Sequence, residues 1–136
     1  MPRLNQNFVR FRGDIFTIAF DILDAENIEG YKAEWTVYTK TLDGAVATIT
    51  RFLTITTDSG FTNPGVGYFI EDGITIDGNQ ILVAVPSVVY DSSRLGNSSH
   101  EIIFEHQLRI WDGDDNMAVA AHGTWDLRKP SSPLTF

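Results

Sequence analysis

The chain has 136 residues, 43% of them hydrophobic and 21% charged, which fits one ordinary globular domain and excludes a disordered chain. It contains no cysteine, so a disulfide framework and any thiolate zinc site are excluded. The net charge is -8 and the ten basic residues are scattered, whereas a nucleic-acid surface needs clustered Lys and Arg.

No apolar run approaches the roughly 20 residues of a membrane helix, so no membrane partner is expected. Met1-Pro2-Arg3-Leu4-Asn5-Gln6-Asn7 lacks an apolar h-region and does not read as a signal peptide; synthesis in a cytoplasm is expected. Residues 1–7 and 128–136 are expected to be short loose termini of one domain spanning residues 1–136, the second because it is rich in Pro and Ser.

Period-two alternation recurs along the chain, and no convincing helix-period stretch appears. From Asp14 to Ile22, the residues Phe16, Ile18, Phe20 and Ile22 share one parity, as a strand with one buried face requires. Residues 24–30 are polar and read as a loop. Tyr31, Ala33, Trp35 and Val37 then alternate with Lys32, Glu34, Thr36 and Tyr38, the clearest half-buried strand in the sequence. Leu42-Asp43-Gly44 closes it in a tight turn, and residues 45–57, rich in Thr and Ile, form one long or broken strand.

Residues 58–73 hold Gly60, Pro64, Gly65, Gly67 and Gly73 interleaved with aromatics, and read as a long loop with a short strand at residues 68–70. Loops of that length are often functional, which makes Phe61, Tyr68 and Phe69 the candidate interface residues; a meandering connection pinned by its own aromatics is the equal alternative. Residues 74–85 read as a hairpin turning at Asp77-Gly78-Asn79 and ended by Pro86. Residues 87–96 are compatible with a single helical turn capped by Ser87. Residues 99–111 form a long strand with His100, Ile102, Phe104, His106, Leu108 and Ile110 inward. After a loop at residues 112–116 the chain returns, with Met117, Val119, Ala121, Trp125 and Leu127 on one face. Seven to nine such strands specify an all-β, antiparallel β-sandwich.

No catalytic or metal site emerges. His100 and His106 lie about 20 Å apart along a strand, too far to share an ion. Asp112, Asp114, Asp115 and Asn116 hint at calcium but lack the bidentate Glu and its spacing, and turn chemistry explains them more simply. Glu101 and Glu105 stand about 13 Å apart, wider than the roughly 5–10 Å of a glycosidase pair. No Gly-x-Ser-x-Gly elbow or phosphate-cradling loop is present, so no enzyme and no cofactor are expected. Asn97-Ser98-Ser99 matches a glycosylation sequon, silent without a secretory route.

The order of the motifs carries more. Arg12-Gly13-Asp14 opens into Ile15-Phe16-Thr17-Ile18-Ala19-Phe20. The hairpin of residues 74–85 leads through a Ser-rich turn to Leu95-Gly96, then to the strand through Ile102 and Phe104 to Ile110, an acidic turn, and Gly123-Thr124-Trp125-Asp126-Leu127. This order resembles the immunoglobulin-like domains of tailed-phage structural proteins, such as the N-terminal domain of the lactococcal phage baseplate upper protein and its relatives. The resemblance covers residues 12–127, and residues 58–73 are longer and more aromatic than its pattern. It implies an immunoglobulin-like fold and a structural component of a virion (tail, baseplate or fibre-associated), assembled with other virion proteins as a homo-oligomer or repeated subunit. A capsid decoration or head-fibre protein of the same fold is the alternative. A carbohydrate-binding sandwich is a third reading, with Trp111 the one tryptophan of outward parity.

Overall fold

A computed structural model describes residues 4–11, 16–22, 27–58, 60–86 and 102–128. Arg12-Gly13-Asp14, the turn at residues 87–96, the sequon, His100, Glu101 and the tail from Lys129 lie outside the described residues. Among the described residues ten strands run in chain order: β1 (Leu4–Asn5), β2 (Phe8–Phe11), β3 (Phe16–Asp21), β4 (Lys32–Asp43), β5 (Val46–Thr56), β6 (Tyr68–Ile70), β7 (Ile74–Asp77), β8 (Gln80–Val85), β9 (Ile102–Trp111) and β10 (Met117–Arg128).

They form two sheets. The larger is ordered β1-β10-β9-β4-β5-β6, with β2 also on β10; the smaller is β3-β8-β7. The ladders are antiparallel except where β1 and β2 join β10 and β6 joins β5. A central β9-β4 pair flanked by β10 and extended by β5 and β6, facing a three-stranded sheet, is the strand order of a variable-type immunoglobulin-like sandwich.

Period-two alternation builds the core. Ile18 and Phe20 of β3 and Ile81, Val83 and Val85 of β8 point from the small sheet toward Ala33, Trp35 and Val37 of β4, Leu53 and Ile55 of β5, and Phe104, Leu108 and Ile110 of β9, all buried. Fully burying one such aliphatic or aromatic side chain contributes about 1.5–3 kcal/mol. In antibody domains a tryptophan on the strand equivalent to β4 packs against a disulfide joining the equivalents of β3 and β9. Here Trp35 occupies that strand, and Phe20 and His106 stand on the other two, their rings 6.1 Å apart. The Trp35 and His106 rings are 5.8 Å apart.

Two expectations change. Leu4–Asn5, inside the segment expected to be loose, pairs with Ala121 and His122 of β10. The single inward face expected for Met117, Val119, Ala121, Trp125 and Leu127 does not extend through Met117 and Val119. The β9-β10 register slips between Val119 and Ala121, so inward parity passes to Ala118 before the slip, and Met117 is 51% exposed. A bulge inserts one unpaired residue, which moves every side chain beyond it to the other face.

The N-terminal segment runs alongside β10, in one register from Leu4 opposite Ala121 to Phe11 opposite Arg128, and approaches it most closely at a glycine. A Cβ on Gly123 would run into the Gln6 carbonyl, so only glycine admits the approach. Around it Gln6 N–H donates to the His122 carbonyl (2.9 Å), and Thr124 N–H donates to Asn7 Oδ1 (2.8 Å). Beneath, His106 is fully buried. Its Nδ1 accepts from Trp35 Nε1–H at 3.2 Å, and its Nε2 lies 2.6 Å from the Gln6 carbonyl. Indole only donates and a carbonyl only accepts, so the ring is neutral with its proton on Nε2.

Candidate interaction surface

Strands β4 and β5 pair along their whole lengths, from Glu34 opposite Thr56 to Asp43 opposite Val46. Their neighbours do not follow them. Strand β9 pairs with β4 only from Lys32 to Tyr38, and β6 with β5 only from Leu53 to Ile55. Residues 39–43 and 46–50 are therefore held by each other alone among the described strands. Every side chain from Lys40 to Thr50 is exposed. This is a two-stranded ribbon projecting past the sandwich. Gly44, at φ +63°, opens its two-residue turn, where only glycine is unstrained.

The register gives the ribbon two faces. Lys40 opposite Ile49 and Leu42 opposite Ala47 share one; Thr39 opposite Thr50, Thr41 opposite Thr48, and Asp43 opposite Val46 share the other. Leu42 is 71% exposed, Val46 65% and Ile49 59%, half of the large exposed apolar residues described. A fourth, Val66, adjoins Ile49 across a shallow cleft of about 350 Å³ that Thr50, Arg51 and Pro64 also line. Leu42 and Ile49, with Val66 beside Ile49, lie on one face and Val46 on the other; apolar side chains exposed on a projecting ribbon mark a candidate interaction surface.

None of the expected interface residues lies on the ribbon. Phe61 is half-buried, edge-on to Trp111 with ring centres 5.2 Å apart, at the opposite end of the molecule. Tyr68 is half-buried against the core and edge-on to Phe52 at 6.1 Å. Phe69 follows on β6, half-buried, with its backbone beside Thr54. Tyr68 and Phe69 are thus brought together on one strand and Phe61 is apart from them. Sequence reading did not single out Leu42, Val46, Ile49 and Val66. Strands of twelve and eleven residues are about twice the usual length, and that excess was the available signal.

The opposite end is acidic. The turns after β6 and β7, the β9-β10 loop and residues 27–31 meet there, and Glu29, Glu71, Asp72, Asp77, Asp114 and Asp115 are all exposed. Asp112 organises its loop: Oδ1 accepts the N–H groups of Asp114 (2.9 Å) and Asn116 (3.0 Å), and Oδ2 accepts from Asn116 Nδ2 (3.2 Å). Hydrogen bonds to Asn116, foremost its backbone, hold that carboxyl below its usual pKa. Asp112 thus holds the turn, and no group of three or more metal-ligating side chains occurs among the described residues.

Of the tryptophans, Trp35 and Trp125 are fully buried and offer no platform to a sugar. Trp111 is half-buried, with the Arg109 guanidinium 5.5 Å from its ring centre and Phe61 against it. Arg109 in turn pairs with Glu34, which also accepts from the Thr36 hydroxyl at 3.3 Å.

No family model matches the chain, and no curated protein matches it. Among solved structures, the extracellular domain of the voltage-gated sodium channel beta4 subunit, seen as parallel homodimers with a role in cell–cell adhesion, is similar at 12% identity. The alignment covers 96% of each chain with a TM-score of 0.37. At that score the likeness adds nothing to the strand order, and it is the strand order that makes the chain an immunoglobulin-like β-sandwich.

Proposed function

We propose that the chain is a structural component of a tailed-phage virion, acting by protein–protein docking and not by catalysis. The observation that carries the docking part is the β4-β5 ribbon, with Leu42, Val46 and Ile49 presented to solvent on unpaired strand edges. An isolated two-stranded ribbon is marginal in water, and completing it with a further strand supplies main-chain hydrogen bonds and covers the apolar side chains. The virion part rests on the motif order, in which Gly123-Thr124-Trp125 now has a physical role: Gly123 admits the N-terminal segment, Thr124 holds Asn7, and Trp125 fills the core.

The test is co-sedimentation of the purified chain with phage particles that lack it. Rebinding to tail or head, lost in Leu42→Lys/Ile49→Lys, is expected. A chain that ignores every particle overturns the virion assignment.

A further inference from the structure

We infer that Asp43-Gly44, at the tip of the ribbon, is a site of spontaneous covalent modification, at which the peptide bond to Gly44 passes to the Asp43 side chain and an isoaspartyl residue results. The site goes beyond the docking reading and does not depend on it.

The reaction is open to any Asp-Gly step and needs only solvent water. The Gly44 backbone nitrogen attacks the Asp43 carboxyl carbon. A C–N bond forms, the nitrogen gives up its proton, and a carboxyl oxygen leaves as water, which closes a succinimide ring. Water then adds to one ring carbonyl and breaks its C–N bond. Attack on the side-chain carbonyl restores Asp; attack on the main-chain carbonyl leaves the chain running through Cγ. One water leaves, one enters, and nothing is oxidised. Glycine permits the attack because no Cβ shields its nitrogen. The carboxyl carbon must swing onto that nitrogen, which extended strand backbone, at ψ of about +135°, does not allow. Reaction therefore proceeds through local opening.

The sequence holds four Asp-Gly steps, at Asp43, Asp72, Asp77 and Asp112, and the fold restrains three of them. Gly73 N–H donates to the Thr56 carbonyl (3.0 Å) and the Gly73 carbonyl accepts from Ala84 N–H (2.9 Å), so that nitrogen is tied between two strands. The turn at Asp77-Gly78 is pinned by two buried isoleucines. The Gly78 carbonyl accepts from Ile28 N–H (3.1 Å) and the Asn79 carbonyl from Ile22 N–H (2.8 Å). The Asp112 carboxylate accepts three hydrogen bonds from Asp114 and Asn116, which hold it in its loop and favour the ionised, less electrophilic form. Asp43-Gly44 alone has both residues exposed, and no backbone hydrogen bond from elsewhere in the described chain reaches Gly44 or Ala45. Its restraint among the described residues is the ladder of a ribbon that no third strand supports there.

An isoaspartyl residue adds a methylene to the backbone beside a two-residue turn, and the length of that turn fixes the register of Asp43 opposite Val46. The tip then frays, and Leu42 and Val46 lose their placement.

The experiment is ageing of the folded full chain in heavy-oxygen water near neutral pH, followed by peptide mapping. Each passage through the succinimide deposits one heavy oxygen at the reacting residue, and the isoaspartyl peptide separates by chromatography. Label at Asp43 should outpace label at Asp72, Asp77 and Asp112 by about tenfold or more, and denaturant should level the four. Asp43→Ser should take no label at that position and leave the melting temperature unchanged. A folded chain labelled first at another Asp-Gly step, or equally at all four, overturns the site. So does a folded chain labelled at none while the denatured chain is labelled throughout. Rebinding to particles separates this site from the docking reading: the aged parent should lose it and aged Asp43→Ser should keep it. Label at Asp43 with rebinding intact upholds the site and removes the ribbon tip from docking.

Discussion

Strands β4 and β5 are two different objects along one length. Near the sandwich, Ala33, Trp35 and Val37 face the core, and Glu34 and Thr36 on the opposite face are buried as well. Their partners Leu53, Thr54, Ile55 and Thr56 are buried too. Beyond Thr39 the ladder continues with every side chain from Lys40 to Thr50 in water. Pairing persists through one register slip between Val37 and Tyr38, and what changes beyond it is the number of layers. The small sheet and the flanking strands cover only the proximal half, so only there does alternation become burial. The distal half keeps its extended form through Thr39, Thr41, Thr48 and Thr50, whose β-branched side chains favour strands without a core.

That contrast can be broken or sharpened by measurement. The widest gap should appear in amide exchange of the dilute chain. Residues 33–37 and 53–56 should exchange about 10³-fold or more slowly than residues 40–49, since core strands open only with global unfolding; equal rates would erase the distinction. Trp125→Ala should lower stability by about 3–5 kcal/mol in chemical denaturation. The Trp125 ring lies 5.9 Å from Trp35, 5.8 Å from Phe104 and 6.4 Å from Phe52, so its loss empties the centre of the proximal half.

Gly123→Ala should cost about 1–3 kcal/mol by overpacking. It displaces Gln6, and the loss of β1 pairing should show as new proteolytic cleavage near residue 6. Acidification should do less. Burial foremost holds the His106 pKa below its ordinary value, against the Gln6 carbonyl, which raises it, and with His122 lowering it slightly. The fold therefore favours the neutral ring. Its contribution is complete above the unfolded value of about 6.5 and is lost as pH falls below that toward the folded value. Thermal melts at about pH 7.5 and 5.5 should show the drop, and His106→Phe should shrink it. Smallest of all, Leu42→Thr or Ile49→Thr should leave the melting of the dilute chain within about 0.5 kcal/mol of the parent, as surface changes do.

Much of the fold was legible in the alternation. Trp35, Phe20 and Leu108 sit where parity puts them, and the short strand at Tyr68–Ile70 lies where the loop regains β-type residues. What alternation cannot convey is the reach of the facing layer. Leu42 and Ile49 have the chemistry of core residues and the position of surface ones. Phe61 and Tyr68 carried two readings, a contact for a partner or aromatics that pin their own loop, and here both rings pack within the chain, on Trp111 and Phe52, while staying half-exposed. The N-terminal strands were missed because two and four residues are too short for a period, and their pairing partner lies over a hundred positions away. The slip near Ala120 leaves no mark in composition, which is why Met117 was placed inward.

The parallel docking of β1 and β2 on β10 has a mechanical consequence. A pull separating Leu4 from Arg128 draws two parallel neighbours in opposite directions along their common axis. The two residue pairs of β1 and the four of β2 are then loaded together, in shear, and do not open one after another like a zipper. The Gln6–His122 bond and the bonds to Asn7 lie between those two sets and share the load. A domain strung in series under tension would thus resist extension at the patch where its first and last strands meet.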